Sequence, residues 1–175
     1  MKRLFKLTVL FICLIIGTNL YNLHVQYENG KNEMEADSIL ESNPLSQIVY
    51  YENGCIKEIW EYDDNLENAS FKKYYKNGNL YSQGQRVHGE YEGVILYYYE
   101  DGSLESEWEF VEGFAHGSYK AYHKNGNIKI EASRYDGTYH GVMTHYSEEG
   151  LLESRSIYEH GQVRKQTNFD LVSSR

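Results

Sequence analysis

One proline, two cysteines and two tryptophans in 175 residues exclude several kinds of protein at once. The single Pro44 rules out a proline-rich spacer, and Cys13 with Cys55 cannot make a disulfide framework. Positive charge is also short: 17 Lys and Arg face 26 Asp and Glu, a formal net charge of −9. A nucleic-acid binder that works by neutralising phosphates is excluded on that ground. The longest apolar run, Leu7–Ile16, falls well below the ~20 residues of a spanning helix. There is no Gly-x-Ser-x-Gly elbow, no phosphate-cradling glycine loop and no His-Glu-x-x-His. The seven histidines are scattered without metal-ligand spacing. What the chain has in quantity is tyrosine (18) and glycine (15), the composition of strands and turns.

Lys2, Arg3 and Lys6 precede the apolar run, the layout of a secretory signal peptide. Residues 1–17 are therefore expected to be a signal peptide, with an uncleaved hydrophobic helix anchored in a membrane as the rival. If the leader is removed, Cys55 is left alone. Residues 18–45 read as a polar linker, acidic over Lys31–Pro44 and closed by the boundary pair Asn43-Pro44. Within it, Tyr27-Glu28-Asn29-Gly30 has the wording of Tyr51-Glu52-Asn53-Gly54 and reads as a partial first repeat.

Internal periodicity organises the rest. Gly54, Gly78, Gly102, Gly126 and Gly150 recur every 24 residues. Four residues before each stands a tyrosine: Tyr50, Tyr74, Tyr98, Tyr122, Tyr146. Two residues after each stands an aliphatic: Ile56, Leu80, Leu104, Ile128, Leu152. A second series (Gly89, Gly113, Gly137, Gly161) and a third (Gly93, Gly117, Gly141) keep the same period. Five units are predicted over residues 46–165, with 166–175 as a C-terminal tail.

Each unit reads as a β-hairpin. Segments such as Lys76-Asn77-Gly78 supply residues that tolerate positive φ. A three-residue loop ending on glycine places Tyr50 opposite Ile56 and Tyr74 opposite Leu80, a favourable aromatic–aliphatic pairing. A two-residue Asn-Gly loop would instead bring Lys57 and Tyr81 there. In Leu104-Glu105-Ser106-Glu107-Trp108-Glu109-Phe110 the acids alternate with larger residues. That pattern predicts a strand buried on one face, with Glu105, Glu107 and Glu109 toward solvent. The second glycine series reverses the chain into the next unit. Phe71, Ile95, Tyr119 and Met143 fall on the parity opposite to the tyrosines, which suggests a bulge or bend in that strand. The expected fold is all-β: an elongated antiparallel meander of consecutive hairpins, preceded by an N-terminal hydrophobic helix.

Alternate units swap large for small. One position runs Trp60, Gly84, Trp108, Ala132, Ser156, and another Tyr62, Arg86, Phe110, Arg134, Tyr158. Net charge over successive 24-residue blocks from Ser46 is −5, +2, −6, +2 and −1. Packing is the expected reason, since stability in an array is a sum over neighbours.

The units at residues 50–58 (Tyr-Tyr-Glu-Asn-Gly-Cys-Ile-Lys-Glu) and 122–129 (Tyr-His-Lys-Asn-Gly-Asn-Ile-Lys) resemble the bacterial variant of MORN repeats. Proteins of that group are often labelled antitoxins. The resemblance covers about residues 46–165 and implies an elongated sheet of hairpins. The first unit departs from it with Asn65 and Ala69 at the return-turn glycines, and the last with Lys165; both read as end units. The expected role is a non-catalytic protein-interaction module exported to, or anchored at, the cell envelope, immunity- or antitoxin-like. The alternative is a binder of cell-wall glycan or membrane head groups, the latter through Lys72, Lys73, Lys76, Lys120 and Lys124. No catalytic residue, metal or cofactor is expected, and no nucleic-acid partner. Tyr51, Tyr75, Tyr97 and Tyr99 are the candidate binding residues, set against a homodimer face as the other use of the same surface. Tyr50, Tyr74, Tyr98, Tyr122 and Tyr146 form the expected structural ladder.

Overall fold

A computed structural model describes residues 37–43 and 45–169. The leader at 1–17 and the partial repeat at Tyr27–Gly30 lie outside the described residues. Inside them, a short helix α1 (37–42) precedes one antiparallel sheet. Its strands are β1 (Gln47–Tyr50), β2 (Ile56–Tyr62), β3 (Asn68–Tyr74), β4 (Leu80–Val87), β5 (Glu90–Tyr98) and β6 (Leu104–Val111). They continue as β7 (Phe114–Tyr122), β8 (Ile128–Tyr135), β9 (Thr138–Tyr139), β10 (Gly141–Tyr146), β11 (Leu152–Glu159) and β12 (Gln162–Asn168). Apart from the two-residue β9, which pairs β8 beside β10, each strand pairs with its neighbours in sequence order, so the meander predicted from the repeat is the observed fold. Two boundaries differ from the expectation: α1 lies in the stretch read as linker, and β12 carries the array three residues into the stretch read as tail.

The turns explain the order. Tyr51 N–H donates to Cys55 C=O and Gly54 N–H to Tyr51 C=O, which closes a three-residue loop over Glu52-Asn53-Gly54. Gly54 sits at φ 82°, where a side chain would be strained. The same pair of bonds recurs at Tyr75, Tyr99, His123 and Ser147. Tyr50 then pairs with Ile56, Tyr74 with Leu80, Tyr98 with Leu104, Tyr122 with Ile128 and Tyr146 with Leu152. That is the three-residue register. At the other end of the hairpins, His88-Gly89, Glu112-Gly113, Asp136-Gly137 and His160-Gly161 all have positive φ at both residues. Two consecutive positive φ values give the tight turn whose twist matches a right-handed strand pair. The first unit lacks those glycines; Leu66 takes φ 61°, and the Asp63 carboxylate accepts from the backbone of Glu67 and Asn68.

The expectation of a single buried face is corrected. Phe71, Ile95, Tyr119 and Met143 do lie opposite in parity to the tyrosines, and they stay on the opposite face, because both faces carry packed side chains. Bulges are present, but they do not bring the two sets together. One residue is extra just after each turn, as at Tyr81, and β5 and β7 bulge at the third glycine series. The face of Phe71 holds most of the buried groups, including Ile95 (0% exposed), Ser82, Ser106, Met143 and Ser156. On the other face Tyr98, Tyr122 and Tyr146 lean across to the preceding hairpin. The Gln83 side chain donates to the Tyr98 hydroxyl at 2.7 Å. The Tyr122 and Tyr146 hydroxyls donate to Glu107 and Glu131. Glu107 is therefore part of the ladder and half-buried, while Glu109 accepts from the Ser118 backbone.

Gly84 shows why a small residue is needed in alternate units. The Ile95 Cδ1 methyl lies where a Gly84 side chain would begin. Gly84→Val is expected to cost about 1–3 kcal/mol through overpacking, read as a lower Tm. Adding Ile95→Ala should recover part of that loss. A Gly84→Val protein that melts with the wild type would overturn this packing.

Candidate functional site

The face carrying Phe71 is paved with rings. A path of ring contacts runs Trp60–Phe71–Tyr91–Phe110–Trp108–Tyr119–Tyr139–Tyr158, with centroid separations of 4.6–6.5 Å. A branch leaves Trp108 through Tyr97 and Tyr81 to Tyr75. Strand pairing builds this path: Trp60 faces Phe71, Ile95 faces Trp108, and Trp108 faces Tyr119. Nearly every contact is tilted or edge-on, the arrangement ring quadrupoles favour. Burial is the first cause of the raised pKa of Tyr97 and Tyr119.

β4 and β8 bring no ring to the main path, although Tyr81 of β4 lies on the branch. β4 contributes Gly84 and Arg86, and β8 contributes Ala132 and Arg134. Each arginine takes the place of the missing ring. The Arg86 Cζ lies 5.1 Å from the Trp60 ring centre and 4.6 Å from that of Tyr91. The Arg134 Cζ lies 4.3 Å from Trp108 and 4.1 Å from Tyr139. Cation–π contacts are worth about 0.5–1 kcal/mol when exposed and ~2 or more when desolvated. The Nε of both is buried without a hydrogen-bond partner. Arg134 donates from one terminal nitrogen to Gly137 C=O at 3.1 Å. The Arg86 side chain makes no hydrogen bond or ion pair to any described residue. The sequence marks both arginines through the alternation of units, but only the fold puts each guanidinium between two rings.

The residues singled out from sequence divide. Tyr51, Tyr75 and Tyr99 donate their hydroxyls to the backbone carbonyls of Tyr74, Tyr98 and Tyr122, one repeat on, at 2.7–2.9 Å. His123 meets the Tyr146 carbonyl in the same way at 2.8 Å. These side chains tie each turn to the next, so their hydroxyls are committed to the fold. Tyr97 belongs to the aromatic face, between Tyr81 and Trp108. Tyr98, Tyr122 and Tyr146 form the ladder described above, and the turn glycines Gly54, Gly78, Gly102, Gly126 and Gly150 all have φ of 81–89°. Lys73 lies over Trp60 and Phe71, whereas Lys76 and Lys124 lie over the turn residues Tyr51 and Tyr99. The basic residues considered for head groups are thus dispersed rather than gathered. Among the described residues no group of three or more His, Cys, Asp and Glu has metal-binding geometry.

Residues 67–88, 91–112 and 115–135 match the model of the MORN repeat variant family. These units are MORN repeats of the variant type. The flanking hairpins of the MORN array share their turn bonds and register. No curated protein shows a match. Among solved structures, the crystal structure of TarM is similar over 91% of this chain at 10% identity, with a TM-score of 0.34. The match takes in 27% of the TarM chain.

Removing one inter-repeat tie has a defined cost. Tyr75→Phe leaves the Tyr98 carbonyl without its donor and is expected to cost about 0.5–1.5 kcal/mol in urea unfolding, with Tyr99→Phe alike. No loss in either variant would contradict the tie. Burial, then the hydrogen bond and charge of Glu107, push the Tyr122 hydroxyl up to about 12. The neutral phenol is the form the fold favours, so its contribution is whole below pH ~10 and is lost as pH rises through ~12. Tyr122→Phe should therefore flatten the fall of the urea midpoint in that alkaline window. An unchanged slope would argue against the Glu107 bond.

Proposed function

We propose that the MORN array is a non-catalytic protein-interaction module, delivered to the cell envelope by residues 1–17 and acting there as an immunity- or antitoxin-like partner of another protein. The observation that carries this reading is the unbroken aromatic face with two inserted arginines. Trp, Tyr and Arg are the side chains that most often anchor protein interfaces. Here they sit on a backbone whose turns are tied to one another, so little order need be gained on binding. The glycan alternative is weaker on the same surface. Sugars stack on ring faces, and here those faces are covered by tilted neighbours and by guanidinium groups. Head-group binding is opposed by the acidic blocks between the basic ones. No helix among the described residues is long and apolar enough to cross a membrane. Attachment is assigned to the Leu7–Ile16 stretch outside them.

Two measurements test this reading in the encoding organism. A photo-cross-linking residue at Tyr81, on the aromatic branch, should capture one protein reproducibly. The same residue at Val94, exposed on the opposite face, should not. Capture from Val94 alone, or from neither, rejects the aromatic face as the interface. The full chain should fractionate with the envelope and the chain lacking residues 1–17 should not; equal distribution of the two removes the envelope from the proposal.

A further inference from the structure

Resting on the protein-interaction reading above, we infer that Arg86 and Arg134 are paired receptors for carboxylates, and that the partner presents an extended acidic segment to this face. Each guanidinium lies within about 5 Å of two ring centres, which restrict it before any ligand arrives. The inner edge of each is sealed: Nε is buried without a partner in both. Of the terminal N–H groups only one, from Arg134 to Gly137 C=O, is used among the described residues, and neither arginine has a carboxylate partner there. A planar cation set among rings, with terminal N–H groups left unbonded, is matched by a carboxylate bound through two parallel N–H···O bonds.

The spacing defines the ligand further. β4 and β8 are four strands apart, roughly 19 Å. An extended chain advances about 3.3 Å per residue, so roughly six residues span that gap. An even separation keeps both acids on the same side of the extended segment. The repeats bearing the arginines, 70–93 and 118–141, each carry net charge +2, while the repeat between them, 94–117, carries −6. The two acids must therefore be separated by neutral residues. A uniformly acidic chain would meet repulsion in the middle, and so would the evenly charged surface of an anionic membrane.

The probe is a synthetic peptide of Ser, Thr and Val with Glu at positions i and i+6, compared with its Gln/Gln form and with an all-Glu form. Trp60 and Trp108, the two tryptophans of the chain, lie against Arg86 and Arg134 and report binding by fluorescence. The Glu/Glu peptide should give a saturable change, and the Gln/Gln and all-Glu forms should bind about tenfold more weakly or worse. Arg86→Gln and Arg134→Gln should each weaken the Glu/Glu peptide to a similar degree. Arg86→Lys and Arg134→Lys, which keep the charge but lose the planar fork, should fall between. Equal binding of the Glu/Glu and Gln/Gln peptides to the wild-type chain overturns the inference without relying on any variant folding. So does a response to anionic vesicles alone, or full affinity in the double Gln variant. If the Tyr81 cross-link survives in that double variant, the interaction module stands and only the carboxylate chemistry falls.

Discussion

Apart from the six residues of α1, no second layer covers this sheet among the described residues, and that constraint governs the rest of the structure. An ordinary domain buries its apolar side chains between two layers. Here each face must be covered by the side chains that grow from it. The rings from Trp60 to Tyr158 do this on one face by tilting onto one another, so that each shields its neighbour. The tyrosine ladder does it on the other, reaching back to Gln83, Glu107 and Glu131 on the preceding hairpin. For Tyr74 the place of Gln83 on the preceding hairpin is held by buried Ile59, and α1 lies near it.

The alternation of units follows from the same constraint. Rings on paired strands pack directly, as Trp60 does on Phe71 and Trp108 on Tyr119, while β4 and β8 interrupt the row. Gly84 leaves room for Ile95, and Arg86 and Arg134 lie against rings of the neighbouring strands. Arginine suits that role because its guanidinium is flat, weakly hydrated and attracted to ring faces. The packing solution leaves two oriented cations on an apolar surface. A covering device and a recognition device are, in this chain, the same side chains.

The tyrosines at the turns show the converse. From sequence they stand out as a repeated, exposed, amphipathic set, which is how binding residues look. In the fold Tyr51, Tyr75 and Tyr99 reach one repeat forward to a backbone carbonyl. That bond spans 23 residues of sequence. It forms only because hairpin after hairpin stacks in register, so no single unit contains the information for it.

The sequence by itself determined the fold, the period, the positions of the reversals and the loop length at each turn. Those depend on local backbone chemistry: glycines that must take positive φ, and a tyrosine and aliphatic set to face each other across the loop. It also marked Arg86 and Arg134 as departures from the repeat, without saying what they do. Only the tertiary structure decided that both faces are packed, that Tyr75 is a tie while Tyr97 belongs to the aromatic face, and that each guanidinium lies between two rings. Those outcomes depend on bulges that shift side chains between neighbours and on contacts across several strands. Such displacements are set by how the strands stack in space, and residue spacing along the chain does not encode them.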